Sequence, residues 1–146
     1  MKNAITSKDI ENIYRLIRLL NIQYKYFIKE KRRKKRYMMG ALLIYKNKFS
    51  VGFNNYNKTH TNTIQLNNYT IPLHAEIEAI NKWNHNWNIK KSTIYVTGLN
   101  RGGNFCISAK PCVSCMEKIN QVGIQKIVYT SFLNGEFKVE SIYNNK

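Results

Sequence analysis

The amino-acid sequence predicts a single α/β domain over residues 1–146, and three observations support this prediction. Segments with the 3.6-residue periodicity of helices alternate with short apolar runs that are typical of strands. The chain contains only 2 Pro and 7 Gly, too few to mark a linker between domains. Asn134-Gly135 separates the last two apolar runs, which predicts an antiparallel hairpin, and the chain after residue 130 is too short for a parallel crossover.

The first predicted helix covers residues 7–28, and its apolar face should cover a sheet. Thr6 or Ser7 can cap its start, and Asp9 is favourable in its first turn. A basic run at residues 29–36 follows, either as a solvated segment or as a patch that binds phosphates. The apolar face consists of Ile10, Ile13, Tyr14, Ile17, Leu20, Tyr24, Phe27 and Ile28.

Residues 1–36 therefore form an N-terminal helix and basic run, followed by a core at residues 37–143. The core opens with strands at 37–45 and 48–53 that form a hairpin. The polar, Asn-rich and Thr-rich stretch at 54–70 is predicted to be a loop. The remaining predicted elements are a helix over 73–84, a strand over 92–97, a loop over 98–110, a helix over 112–122 that ends at Gly123, and a strand over 124–130.

The composition is strongly basic. Lys and Arg outnumber Asp and Glu by 24 to 8, which gives a formal net charge of +16. Such a field attracts anions such as nucleotides, nucleic acid or phospholipid surfaces, although a compositional bias of the genome toward Lys is an alternative cause. Charged residues interrupt the N-terminal apolar pattern and no apolar run approaches about 18 residues, so we expect an intracellular, cytoplasmic protein without a membrane partner.

Two motifs carry the chemistry, each at the predicted start of a helix. They are P-L-H-A-E at residues 72–76 and P-C-V-S-C at residues 111–115. Cys112 and Cys115 are three positions apart, so they share one helical face, and a helix N-terminus favours thiolates. We predict that His74, Cys112 and Cys115 bind Zn²⁺ and leave its fourth position open for water, as in catalytic zinc sites.

An open zinc site favours hydrolysis, with Glu76 as the proton carrier. Glu76 would take a proton from the water that the metal activates and deliver it to a ring nitrogen and then to the departing amine. One alternative is a closed structural site with His60, His85 or Cys106 as the fourth ligand, but such a site has no use for the Glu76 carboxylate. A C-x-x-C redox pair is the other alternative.

These motifs, with a predicted strand between them, resemble those of the cytidine deaminase-like superfamily over roughly residues 37–143. The resemblance implies a three-layer α/β/α fold with a central five-stranded mixed sheet. It assigns zinc ligation to His74, Cys112 and Cys115, and proton transfer to Glu76.

The resemblance also implies substrate-binding residues. The G-F-N at residues 52–54 is similar to the G-[YW]-N that ends the second strand of deoxycytidylate and tRNA adenosine deaminases, where the Asn contacts the sugar or base. Asn54 is therefore a candidate substrate-binding residue, with a strand-terminating turn as the alternative role. The backbone amide of Ala75 is the candidate for the base carbonyl, whereas Glu78 is predicted to lie on the surface.

The implied substrate is a cytosine nucleoside or nucleotide, of the cytidine or deoxycytidylate type. The terminal hairpin is similar to free-cytidine, blasticidin-type and bacterial-toxin deaminases, whereas residues 52–61 are similar to small viral deoxycytidylate-type proteins. One alternative is deamination of cytosine or adenine within single-stranded DNA, RNA or tRNA, and another is an inactive zinc- or nucleic-acid-binding module. Superfamily members commonly form oligomers, so a homo-oligomer is left open.

Overall fold

The computed structural model describes residues 4–29, 38–59, 72–100 and 103–144. These ranges contain three α-helices and two β-sheets. The elements are α1 (Ser7–Lys29), β1 (Met38–Tyr45), β2 (Lys48–Phe53), β3 (Asn55–Thr59), β4 (Pro72–Leu73), α2 (Ala75–Lys82), a 3-10 turn (Ile89–Lys91), β5 (Thr93–Leu99), α3 (Val113–Val122), β6 (Lys126–Leu133) and β7 (Glu136–Tyr143). No helix in this part of the chain has the length and apolar character needed to cross a membrane.

The main sheet has five strands in the order β2-β1-β5-β6-β7. Strands β5 and β6 are parallel, and every other neighbouring pair is antiparallel, so the predicted mixed sheet is confirmed. The predicted terminal hairpin is confirmed as well, because β6 turns into β7 through Asn134 and Gly135. Their φ angles of 55° and 76° are both positive, as the tight turn of a two-residue hairpin requires.

Helices cover both faces of the sheet, which confirms the three-layer α/β/α architecture. Successive strand residues point to opposite faces, so neighbours along a strand join different cores. Leu42 and Tyr95 pack with α1 in one core. Ala41 and Val96 pack in the other core with α2, α3 and the loop that precedes α3.

The buried face of α1 is rotated slightly from the predicted one. Its buried apolar residues are Ile13, Leu16, Ile17, Leu20 and Tyr24. Tyr14 was predicted to face the core, but it is 50% exposed, because it lies about 100° around the helix from Ile13. The side chains of Phe27 and Ile28 and the basic run at residues 29–36 lie outside the described residues.

Part of the predicted loop at 54–70 is a strand. Strand β3 pairs antiparallel with β4 in a second, two-stranded sheet, with Asn55 opposite Leu73 and Thr59 opposite Pro72. Leu73 therefore belongs to β4, whereas the sequence pattern placed it inside the helix. Polar residues pair through their backbones here, and hydrophobic periodicity does not detect such pairing. Residues 60–71, including His60, lie outside the described part.

A buried polar network joins the start of α1 to the sheet. Thr6 caps the helix, since its Oγ1 accepts from the Asp9 amide at 3.1 Å while Asp9 accepts from the Thr6 amide at 3.0 Å. Asp9 is only 4% exposed, and its carboxylate also accepts from Tyr95 Oη at 2.8 Å and from Lys126 Nζ. The Lys126 ammonium also donates a hydrogen bond to the carbonyl oxygen of Ala4, at 2.9 Å. The network therefore fixes α1 to β5 and β6.

The charge of Asp9 is maintained by its partners. Burial alone would raise the pKa of this carboxyl, but the Lys126 ammonium and the Thr6 amide outweigh burial and hold the pKa below its ordinary value. A carboxyl whose pKa is lowered by folding stabilises the protein above its unfolded-state pKa of about 3.9. This stabilisation is lost as the pH falls through the lower folded-state value.

Asp9→Asn should lower the free energy of unfolding at pH 7 by about 3 kcal/mol, because the Lys126 charge stays buried without its partner. The free energy of unfolding of this variant should also fall less steeply below about pH 4, because Asn does not bind a proton there. Urea unfolding between pH 7 and acid tests both effects. Glu11→Gln is the matched control: the ion pairs of Glu11 with Lys8 and Arg15 are exposed, so this substitution should cost less than about 1 kcal/mol. An equal effect of the two variants would contradict the assigned role of Asp9.

Candidate metal centre

Two helix N-termini meet at the predicted metal site. His74 is the N-cap of α2 and Cys112 is the N-cap of α3, both with extended backbone angles. Neither side chain hydrogen-bonds to the amides of its own helix. Instead, His74 Nδ1 and Cys112 Sγ lie 3.5 Å apart. Cys115, in the first turn of α3, places its Sγ 3.2 Å from the same ring nitrogen.

The three side chains form a group that fits a tetrahedral metal. One donor atom from each of His74, Cys112 and Cys115 lies within 4.8 Å of the other two. Zinc–ligand distances of about 2.0–2.3 Å place tetrahedral ligand atoms roughly 3.5 Å apart, close to both His–Cys distances here. One imidazole and two thiolates are also a donor set that zinc prefers. These residues are therefore positioned to bind a metal ion.

The group contains three ligands among the described residues, and neither His85 nor Cys106 belongs to it. This argues against the closed structural site with one of those two as the fourth ligand. His60, the third alternative, lies outside the described residues. The burial of the group is uneven, since Cys115 is buried, His74 is half-buried and Cys112 is exposed. Solvent therefore reaches the group from the Cys112 side.

Glu76 lies beside the ligands without belonging to the metal-binding group. It is 5% exposed, and its carboxylate lies close enough to the Cys115 thiol for each group to shift the pKa of the other. Burial raises the pKa of Glu76, and burial together with the charges of Glu76 and Cys112 raises the pKa of the Cys115 thiol. A bound cation would favour the thiolate form of Cys115 instead, because a thiol that coordinates a metal releases its proton to solvent or to a nearby base.

Helix α2 is held unusually close to the edge strand β2. An added Cβ at Gly52 would lie 2.3 Å from the Ala75 carbonyl oxygen and 2.5 Å from the Ala79 nitrogen. Only glycine permits this approach without moving the helix backbone. Ser50 strengthens the contact, because its Oγ donates to the Ala79 carbonyl at 2.7 Å. The close packing fixes the helix turn that carries His74 against the sheet.

Glu78 is more buried than its position in the sequence predicts. It was predicted at the surface, but its side chain is 13% exposed and accepts a hydrogen bond from the Phe53 amide at 3.1 Å. Its spacing from Lys82, which donates to the same oxygen at 3.1 Å, is typical of an exposed helical ion pair. The spacing of Glu78 and Lys82 does not indicate that the Glu78 carboxylate also binds the Phe53 amide of β2.

Asn54 follows directly after β2. Its amide donates to the Met39 carbonyl at 3.2 Å, and its Oδ1 accepts from the Met39 amide at 2.9 Å. Asn54 therefore extends the pairing of β1 and β2 by one residue, as the strand-terminating interpretation expects. Ala75 is buried and is the first residue of α2, where amides have no partner within the helix. Substrate contacts of Asn54 and Ala75 stay predictions.

The fold and the His/Cys/Cys group together define a class, that of the zinc-binding deaminase folds. The comparison with protein families specifies it further: a model of the "cytidine and deoxycytidylate deaminase zinc-binding region" matches residues 19–131. The chain therefore belongs to this family, within the cytidine deaminase-like superfamily, and zinc is its metal.

Two solved structures are similar to this chain, both of the dCMP deaminase from the cyanophage S-TIM5. The apo form is 22% identical with a TM-score of 0.45, over 81% of this chain and 84% of that chain. The complex with dCMP and dUMP is 22% identical with a TM-score of 0.45, over 86% of this chain and 83% of that chain. A search of curated proteins found no match.

Gly52→Ala should weaken both the fold and the metal site, because the new Cβ forces α2 away from β2. We expect a loss of about 2 kcal/mol in the free energy of unfolding and a lower zinc affinity. Thermal unfolding and zinc titration against a competing chelator measure the two effects. Gly135→Ala is the control: its positive φ makes alanine cost about 1 kcal/mol, but nothing lies within 4 Å of the new Cβ, so zinc affinity should stay unchanged. Normal zinc affinity in Gly52→Ala would contradict the role given to this contact.

Proposed function

We propose that this protein is a hydrolytic deaminase that converts the amine of a cytosine nucleoside or nucleotide to a carbonyl and releases ammonia. The substrate is of the cytidine or deoxycytidylate type. The observation that carries the proposal is a buried carboxylate, Glu76, beside three metal ligands in a group that is open to solvent. Membership of the deaminase family supports the same reaction.

Zinc, when bound by His74, Cys112 and Cys115, would supply a Lewis acid that makes an attacking water more acidic. The chain supplies the proton transfer. Glu76 belongs to the first turn of α2, and the burial of its side chain excludes bulk water from competing for the proton. In the proposed reaction the Glu76 carboxylate accepts a proton from water and delivers it to the ring nitrogen as the hydroxyl group adds to the amine-bearing carbon. It then accepts the remaining proton of that hydroxyl group and delivers it to the amine, which leaves as ammonia while the carbonyl forms.

Substrate binding is proposed to involve the two elements beside the metal ligands. The Ala75 amide belongs to the helix N-terminus between His74 and Glu76, where backbone donors favour an acceptor such as the base carbonyl. Asn54 follows the strand that packs on this helix, and it would contact the sugar or base. The close approach at Gly52 supports this arrangement, since it fixes the strand relative to the helix.

Replacing Glu76 tests the proposed reaction. Zinc-loaded protein and Glu76→Ala are incubated with cytidine, deoxycytidine, their monophosphates and a pool of single-stranded DNA and RNA. Mass spectrometry then detects the gain of about 1 Da when an amine becomes a carbonyl. We expect conversion of a free pyrimidine, a loss of about 10²–10⁴-fold in Glu76→Ala, and unchanged zinc content.

Glu117→Ala, which removes an exposed Glu from α3, is the control and should retain activity. Full activity in Glu76→Ala would refute the proposed mechanism. If only bases within single-stranded DNA or RNA are converted, the alternative of a nucleic-acid deaminase is favoured. The net charge of +16 supports this alternative, because it attracts polyanions. In that case, binding should weaken steeply between about 50 and 200 mM salt. Bound zinc without any conversion would favour the inactive module.

Cysteine substitutions test whether the zinc site has three protein ligands. Cys112→Ser should lose most of its zinc and its activity, because it removes a thiolate ligand. Cys106→Ala should keep both, since this buried thiol lies outside the metal group. Metal analysis of the purified variants measures the zinc content. Loss of zinc from Cys106→Ala would instead indicate a closed, four-ligand site.

A further inference from the structure

The amide of Phe53 faces the open edge of the main sheet. Within the part of the chain that the structure describes, β2 is the outermost strand of this sheet, and its neighbour is β1. The next amide, that of Asn54, donates to Met39 on β1. Because successive amides of a strand point in opposite directions, the Phe53 amide points away from β1. Such an edge donor needs a partner from outside the sheet.

Glu78 supplies that partner from the metal-binding helix. Its Oε1 accepts from the Phe53 amide at 3.1 Å, and the close contact at Gly52 brings the helix within reach. The backbone amide of Glu78 donates to the His74 carbonyl at 3.0 Å, so a single helical turn joins the metal ligand to this carboxylate. Lys82 also donates to Oε1, at 3.1 Å, from the solvent side.

We propose that Glu78 is a positioning residue that fixes Asn54 relative to His74. Glu78 binds the peptide group before Phe53, and Met39 binds the peptide group after it. Asn54 is thereby fixed between the sheet and the metal-binding helix. The inference rests on the proposed function, in which Asn54 contacts the substrate. Glu78 then affects substrate binding through Asn54, and the proton transfer by Glu76 does not depend on it.

Steady-state kinetics of three variants test this role, with whichever of cytidine and deoxycytidylate the unmodified protein converts faster. Glu78→Ala should raise KM about tenfold, because it removes a charged acceptor, while kcat changes less than about twofold. Glu78→Gln retains an oxygen acceptor and should restore most of the KM. Lys82→Ala is the control for the ion pair alone and should leave KM unchanged. Zinc content should stay constant in all three variants.

A double substitution shows whether Glu78 acts through Asn54. If it does, Asn54→Ala combined with Glu78→Ala should raise KM no more than Asn54→Ala alone. Multiplying effects would mean that the two residues act independently, and this would overturn the proposal. A normal KM in Glu78→Ala, or the loss of zinc from it, would overturn the proposal as well.

Two readouts do not depend on turnover. Hydrogen exchange followed by NMR should show faster exchange of the Phe53 amide in Glu78→Ala than in Lys82→Ala. Calorimetric binding of the substrate chosen for the kinetics is measured in zinc-loaded Glu76→Ala protein, in which turnover is slower by at least about 10²-fold. Binding should weaken when Glu78→Ala is added but not when Lys82→Ala is added, and unchanged exchange or unchanged binding would overturn the role of Glu78. An unmodified protein that converts no cytosine nucleoside or nucleotide would refute the proposed function, whereas normal turnover with an unchanged KM in Glu78→Ala would refute this inference alone.

Discussion

The close approach of α2 to β2 at Gly52 is the contact on which the rest of the site depends. It brings two backbones together without an intervening side chain, so the distance between helix and strand is set by the chain itself. The helix carries His74 and Glu76, and the strand leads into Asn54. Cys112 and Cys115 lie at the start of a different helix, α3, which packs on the same face of the sheet as α2. A metal ion would therefore join two helices of which only one is tied this closely to the sheet edge.

The domain separates its buried ion pair from its metal site. Register places Phe53 level with Gly40 on β1 and with Thr97 near the end of β5. Lys126, which pairs with Asp9, lies beside Thr93 at the start of β5. The Asp9–Lys126 ion pair therefore lies at the start of β5, whereas the contact between Phe53 and the metal-binding helix lies level with the end of β5. Because of this separation, the Lys126 ammonium stabilises the packing of α1 without placing a second positive charge beside the metal ligands.

The fold and the metal ligands could largely be predicted from the sequence, since both depend on local patterns. Apolar runs located the strands of the main sheet to within a few residues, and the spacing of the two motifs located the ligands. Three features could not be predicted from the sequence, because they depend on contacts between residues that are distant in the chain. Asp9 is a buried ion-pair partner as well as a favourable first-turn acid, Glu78 binds a strand 25 residues earlier, and β3 pairs through its backbone.

The terminal hairpin leaves β7 as the second outer strand of the sheet, which bears on how separate copies of the protein avoid aggregation. An open strand edge is a template on which another chain can add by backbone pairing. Along β7 the exposed positions are charged, with Glu136, Lys138 and Glu140 alternating with partly buried residues. In an antiparallel approach centred on Lys138, a second β7 would place like charges opposite each other, Lys138 against Lys138 and Glu136 against Glu140. In that register these charges therefore disfavour backbone pairing between two copies of the protein.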